Sequence, residues 1–360
     1  MLIGARFLWS GGALARDMAV DWQDGAVRAV RPLGGDTPDR MAHLIMPCLT
    51  DLQVNGGGGV LFNADPTPEG LDAIADAHGQ LGTGALLPTV ITDTAEVMEA
   101  AADAVRTRRD DPRILGIHLE GPHIAEARRG THDAGHIRPL DAWTVTLVEA
   151  LRNEGIRVKI TLAPEMAPLD LLTRLVDTGA LVSIGHSAAS AKATRAALAA
   201  GAGCFTHLYN AMPPMTSRDP GLLGVALNAD CPAGIIADGI HVDWDMLRIA
   251  VRARPGPTFA VSDAMPTVGG PDHFTLYGRR IEVQEGRLVN DEGSLAGAHI
   301  DMAQSLANLA GPAGLPLDLA CAMVSDRPRA ALGLPPQIIA PEGEAFLCFD
   351  AEFERMVSEQ

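Results

Sequence analysis

No CxxC pair occurs in this chain; its five cysteines, Cys48, Cys204, Cys231, Cys321 and Cys348, are odd in number and scattered. That spacing argues against a disulfide framework and fits reduced, mostly buried thiols in a cytosolic protein. Positive charge is short too: 28 Lys and Arg stand against 45 Asp and Glu, a formal net charge of -17. Nucleic-acid and anionic-membrane partners are met by clustered Lys and Arg, so neither is expected. A small anionic substrate stays open, because a few local arginines reverse the field inside one pocket. The opening MLIGARFLWSGG has no basic leader with a long apolar core, and no stop-transfer span follows. The expectation is a soluble, cytoplasmic chain. No fixed-period repeat or low-complexity tract is evident. The run Gly56 to Gly59 lacks the GK[ST] ending of a P-loop and does not match G-x-G-x-x-G with an acidic partner downstream. A wide turn accounts for it better than a phosphate cradle.

What is there is a rhythm. With 360 residues and 47% hydrophobic side chains, the chain has the size and apolar content of one large α/β barrel with an appendage. Eight apolar runs (HLIMPCLTDLQV, GALLPTV, RILGIHLE, RVKITLAPE, LVSIGH, GCFTHLY, AGIIADGIH and PTFAVSDAM) alternate with Ala- and Leu-rich helical patterns. Alternation of this kind favours a (β/α)8 TIM-like barrel, with an open doubly wound sheet as the alternative, since periodicity does not report closure. Residues 1–47 read as short strands, with Asp24-Gly25 a hairpin signal. EGEAFLCFDAEF alternates like a strand near the other end. The predicted organisation is therefore a small β-sandwich domain from 1–47 and 335–360, a barrel over 48–334, and a β insertion near 272–294.

In a barrel, chemistry belongs where strands end. Those ends carry Asp51-Leu52-Gln53-Val54-Asn55, His118-Leu119-Glu120, Gly185-His186-Ser187, Thr206-His207, Asp238-Gly239-Ile240-His241 and Ser262-Asp263. Glu120, His186 and His207 supply one carboxylate and two imidazoles, a set that suits zinc and leaves a position for water. A lone histidine in an apolar run is more often a core residue; three such residues at successive functional corners favour a metal site. Asp263 is placed to accept a proton from the water and return it to a leaving amine, against the plainer role of a turn cap. The corner after His207 adds Asn210 for a polar ligand and Arg218 for an anion.

The motifs DLQVNGGGGVLFN, HLEGPHI, Gly130-Thr131-His132, GHS, THLYNAMPPM, IADGIHVD and SDAMP occur together in one order. In this the chain resembles the N-acetylglucosamine-6-phosphate deacetylases of the amidohydrolase superfamily, over roughly 47–334. The resemblance implies hydrolysis of the acetamide of N-acetyl-D-glucosamine 6-phosphate to D-glucosamine 6-phosphate and acetate, in amino-sugar catabolism. It implies Glu120, His186 and His207 as ligands of one divalent metal ion, most often Zn2+, and Asp263 as acid and base. It also implies His132 at the amide carbonyl or the sugar, Asn210 and the Ala211 backbone on the substrate, and His241 near the phosphate. Arg218 resembles the arginine lent across a homodimer to the neighbouring subunit's phosphate. Where many relatives place His-x-His for a second metal, this chain has Gln53 and Asn55, so one tightly held ion is expected. Lys159 is read as structural. The alternatives are the N-acetylgalactosamine 6-phosphate epimer, another amidohydrolase, or a non-catalytic sugar-phosphate binding protein.

Overall fold

A computed structural model describes residues 1–254, 256–341 and 345–356. Its centre is a sheet of eight parallel strands in chain order: Leu49–Val54, Thr83–Ile91, Ile117–Glu120, Val158–Leu162, Leu181–Ile184, Cys204–Phe205, Ala233–Ile236 and Thr258–Val261. Most are buried along their whole length, which is why they read as apolar runs without alternation. Helices follow the strands, and Thr67, Thr94, Asp141, Ser190 and Asp243 start five of them by accepting a first-turn backbone N–H.

The sheet closes at the strand ends. Asp263 N–H donates to the Gln53 carbonyl at 3.0 Å, and Asn55 N–H donates to the Ala264 carbonyl at 2.9 Å. Below them, Asp51 of the first strand accepts from the hydroxyl and backbone N–H of Ser262, just past the eighth. These contacts make a barrel and set aside the open sheet. They also place the site, because two of the joined residues, Asn55 and Asp263, face its cavity.

The run HLIMPCLTDLQV divides between two sheets. Arg40–Met46 lies parallel to Leu2–Ser10 in a terminal sheet, and the barrel begins at Leu49, after Pro47 and Cys48. Proline has no N–H to continue a ladder. The terminal sheet has five strands, ordered Leu347–Phe349, Arg40–Met46, Leu2–Ser10, Ala13–Gln23 and Ala26–Pro32. Of the strand expected in EGEAFLCFDAEF, only Leu347–Phe349 is regular; residues 342–344 and the tail 357–360 lie outside the described residues. Within the described residues this unit is one sheet, not the two facing sheets of a sandwich. Trp9, Leu44 and Met46 join the barrel core on one side, while Ile339 and Phe346 pack with Ile3, Val20 and Ile45 on the other.

Between the eighth strand and the last helices, His273–Leu276, Arg279–Gln284 and Arg287–Leu288 form a three-stranded antiparallel sheet. Phe274, Leu276, Ile281 and Leu288 pack on Ile91 and Met265 at the barrel mouth. The four-glycine run is a tight hairpin, not a wide turn: Gly56–Gly57 pair with Val60–Leu61. A Cβ on Gly56 would stand 2.3 Å from the Val60 carbonyl oxygen, so no larger residue fits there. Gly58 and Gly59 N–H donate to the Val268 and Pro266 carbonyls at 2.9 and 2.8 Å. The hairpin thereby holds the loop that follows Asp263.

Candidate active site

Five non-glycine residues around the site have left-handed backbone: His186 (φ 46°), His207 (φ 27°), Tyr209 (φ 78°), Ala211 (φ 53°) and Asp263 (φ 54°). Such conformations cost on the order of 1–3 kcal/mol each, so the surrounding barrel must impose them. They fall in the turns that follow the fifth, sixth and eighth strands. A cavity of about 370 Å³ opens at this point.

Its walls include Asn55, Glu120, His132, His186, His207, Asn210, Ala211, His241 and Asp263. Nearly every residue singled out from the sequence is therefore brought together. Gln53 lies just beneath, buried. Arg218 does not line the cavity of its own chain; it is exposed on the loop after Pro213.

At the floor, His207 Nε2 and His186 Nε2 are 3.0 Å apart, and each lies near Glu120 Oε1, at 3.1 and 3.4 Å respectively. Ligand atoms about 2.0–2.1 Å from a tetrahedral zinc stand roughly 3.3–3.4 Å from one another, close to these separations. The His186 ring donates Nδ1–H to the Arg128 carbonyl at 2.8 Å, which turns its Nε2 lone pair toward the centre. Buried His207 Nδ1 has no hydrogen-bond partner. The donor set fits a divalent ion of zinc type. His132 with Glu120 and His186 forms a second, looser grouping, its ligand atoms within 4.8 Å of one another. The set with His207 is tighter and is the better cage, since His132 Nδ1 accepts from the Thr92 N–H, which leaves the ring proton, not a lone pair, on Nε2.

Electrostatics follow from burial. Burial alone would raise the Glu120 carboxyl, but the neighbouring His186 and His207 rings outweigh it and hold the group well below the usual range. Asp263 is pushed up, first by burial and then by the charge of Glu120, as suits a group that must both take and give a proton. Its Oδ1 accepts from Asn55 Nδ2 at 2.8 Å and from Gln53 Nε2 at 3.0 Å, which leaves Oδ2 for the proton. Burial lowers His132 to about 3, so the ring is neutral. Thr92 N–H donates to His132 Nδ1 at 3.3 Å. The ring proton is thus on Nε2, and the neutral ring is a donor. His241 donates Nδ1–H to Asp238 Oδ2 at 2.6 Å.

Several contributors escaped sequence reasoning. Arg128, Thr131, Ser294, Leu295 and Gly297 also line the cavity, the last three supplied by the chain just after the insertion. Thr92 and the Arg128 carbonyl act on histidines 40 and 58 positions away, for which no local pattern exists. Asp238 had a signal, an acid three residues before His241 in a loop. Lower in the barrel, His118 bridges Thr89 and Thr161 at 3.1 and 2.8 Å, in a buried polar chain that continues to Thr206 and Ser183. It packs below the site and does not reach the cavity.

A closed barrel of eight parallel strands with a carboxylate and imidazoles converging at their carboxyl ends defines a metal-dependent hydrolase of the amidohydrolase superfamily. No protein-family model matches the chain. Among curated proteins it is 43% identical over 349 residues to the N-acetylgalactosamine-6-phosphate deacetylase of Shewanella sp. (strain ANA-3), covering 92% of this chain and 86% of that one. It is 32% identical over 331 residues to the N-acetylglucosamine-6-phosphate deacetylase of Haemophilus influenzae, covering 89% and 86%. The crystal structure of N-acetylglucosamine-6-phosphate deacetylase from Pasteurella multocida superposes with a TM-score of 0.88 at 28% identity, over 99% of this chain and 97% of that one. The chain belongs to the family of N-acetylglucosamine- and N-acetylgalactosamine-6-phosphate deacetylases.

Proposed function

We propose that this protein hydrolyses the acetamide of N-acetyl-D-glucosamine 6-phosphate, releasing acetate and D-glucosamine 6-phosphate for amino-sugar catabolism. The observation that carries the reading is the convergence of Glu120, His186 and His207 to within 3.0–3.4 Å, with Asp263 and His132 on the same cavity. Glu120, His186 and His207 would hold one zinc ion, which when bound acidifies water and polarises the amide carbonyl. His132 donates its Nε2–H to the same carbonyl oxygen. Asp263 Oδ2 takes the proton of the attacking water and delivers it to the departing nitrogen. Carbonyl carbon gains the water oxygen and loses the amine, so acetate and a free amine are the products.

Asn210, the Ala211 backbone and His241 orient the sugar and its phosphate, and Asp238 holds His241 in place. Arg218, exposed on its own chain, reaches the phosphate in the neighbouring subunit of a homodimer. The proposed division is a terminal domain of 1–47 and 335–360 and a barrel of 48–334, with the insertion near 272–294 beside the site. No described helix is long and apolar enough to cross a membrane, and the proposed setting is the cytoplasm.

A second reading differs only in the sugar. The relative at 43% identity is named for the galactosamine epimer, which makes N-acetylgalactosamine 6-phosphate the competing substrate. Acetate release by the zinc-loaded protein from both phosphorylated epimers and from unphosphorylated N-acetylglucosamine separates the possibilities. Fast release from the glucosamine compound supports the first reading. Preference for the epimer keeps the mechanism and changes the sugar. No release from any, with zinc bound, overturns the substrate assignment.

A further inference from the structure

Directly under the cavity lies a side-chain bridge that the reaction above does not use. Gln53 Nε2 is 2.9 Å from Glu120 Oε1 and 3.0 Å from Asp263 Oδ1, and its Oε1 is 3.4 Å from Lys159 Nζ. All four residues are buried, Gln53 and Lys159 completely. The direction of the amide follows from chemistry. Carboxylates only accept and a lysine amine donates, so the two N–H groups face Glu120 and Asp263 while the oxygen faces Lys159. A reversed amide would oppose oxygen to oxygen twice and donor to donor once. Lys159, of which only a structural role was expected, thus selects the orientation of Gln53.

We propose that Gln53, oriented by Lys159, is a positioning residue that ties Glu120 to Asp263 and sets their separation across the reacting water. Two carboxylates in a dry interior repel each other, and one amide carrying two N–H groups relieves both at once. Glu120 ends the third strand and Asp263 lies two residues past the eighth, so no local backbone feature relates them. The amide on the first strand spans that gap, and Asn55 steadies the Asp263 end with a second N–H at 2.8 Å. A neutral bridge occupies the space between the carboxylates with hydrogens directed outward, which leaves no lone pair there for a second cation. The inference rests on the reading of Glu120 as metal ligand and Asp263 as acid and base.

The test is a double-mutant cycle of Gln53→Met and Lys159→Met. It reads the zinc dissociation constant, by competition with a chromophoric chelator, and kcat and KM for acetate release. Gln53→Met is expected to lower both zinc affinity and kcat by about 10- to 100-fold with KM nearly unchanged. Lys159→Met repeats part of that loss, and the double variant is no worse than Gln53→Met alone, because the two act as one relay. Losses that multiply, or that fall on KM alone, overturn the proposal. If Lys159→Met does not fold, Gln53→Glu decides: it keeps shape and the contact with Lys159 but turns an acceptor toward both carboxylates. The same loss supports the bridge, and wild-type kcat and zinc affinity overturn it. A wild-type protein that takes up no zinc overturns the underlying metal reading instead, a failure visible before any variant is made.

Discussion

Asp263 combines a left-handed backbone with a raised carboxyl pKa, two amide donors on Oδ1 and a place on the cavity wall. A turn cap needs none of these. Replacing Asp263 by Asn removes the proton carrier and keeps the shape, so acetate release should fall about 10²- to 10⁴-fold. Zinc stoichiometry, measured by metal analysis of the purified variant, should stay that of the wild type, because Asp263 is not in the proposed donor set. Unchanged activity would reduce Asp263 to its structural role. The same scale shows what single positions disclose. Glu120, His186, His207 and Asp263 were readable as residue types at strand ends. That His132 is a donor was not, since its tautomer depends on Thr92, a residue of no evident chemistry placed 40 positions earlier.

Where the first and eighth strands meet, backbone pairing is confined to the ends and Asp51 does the joining lower down. It accepts from Gln53 N–H at 3.1 Å as well as from Ser262. Burial nonetheless raises its carboxyl from 3.8 to about 7. A folded-state pKa above the unfolded one means that the native protein holds the extra proton between those values. Asp51 therefore costs stability progressively as pH rises from about 4 to about 7, at a slope on the order of 1.4 kcal/mol per pH unit. Asp51→Asn has no such proton. Urea melts of the two proteins between pH 5 and 8 should show the variant gaining on the wild type as pH rises to about 7 and holding a constant difference above it. A gap independent of pH would contradict a buried, titrating Asp51. The strands themselves were legible as apolar runs, and their bounds less so. HLIMPCLTDLQV hides a change of sheet at Pro47, and the glycine run hides a hairpin, because which surface a strand meets is not written in its own residues.

At the level of the whole molecule, the cavity has Arg128 on its wall but not Arg218, which stands exposed on its own chain. The proposed homodimer gives that exposure a purpose. Arg218→Ala should raise KM for the phosphorylated sugar far more than it lowers kcat. At substrate far below the KM of that variant, mixing it with Asp263→Asn, after reversible dissociation, should restore roughly a quarter of wild-type activity, because half the dimers are mixed and each holds one intact site. No recovery, with mixed dimers demonstrated by sedimentation or native mass spectrometry, would place Arg218 outside the neighbouring subunit's site.

Taken alone, the sequence determined the eight-fold alternation, the residue types at each corner and the order of motifs. These are local properties: a strand is written in its own apolar run, and a ligand type is one side chain at its end. Only the tertiary structure decided that the sheet closes, that the terminal unit is one described sheet, and that the Arg128 carbonyl and Thr92 set two histidines. It also joined Gln53 to Glu120 and Asp263, 67 and 210 positions away. Such contacts have no local signature, because closing the barrel is what brings them within hydrogen-bonding distance, and burial is what makes their pairing obligatory.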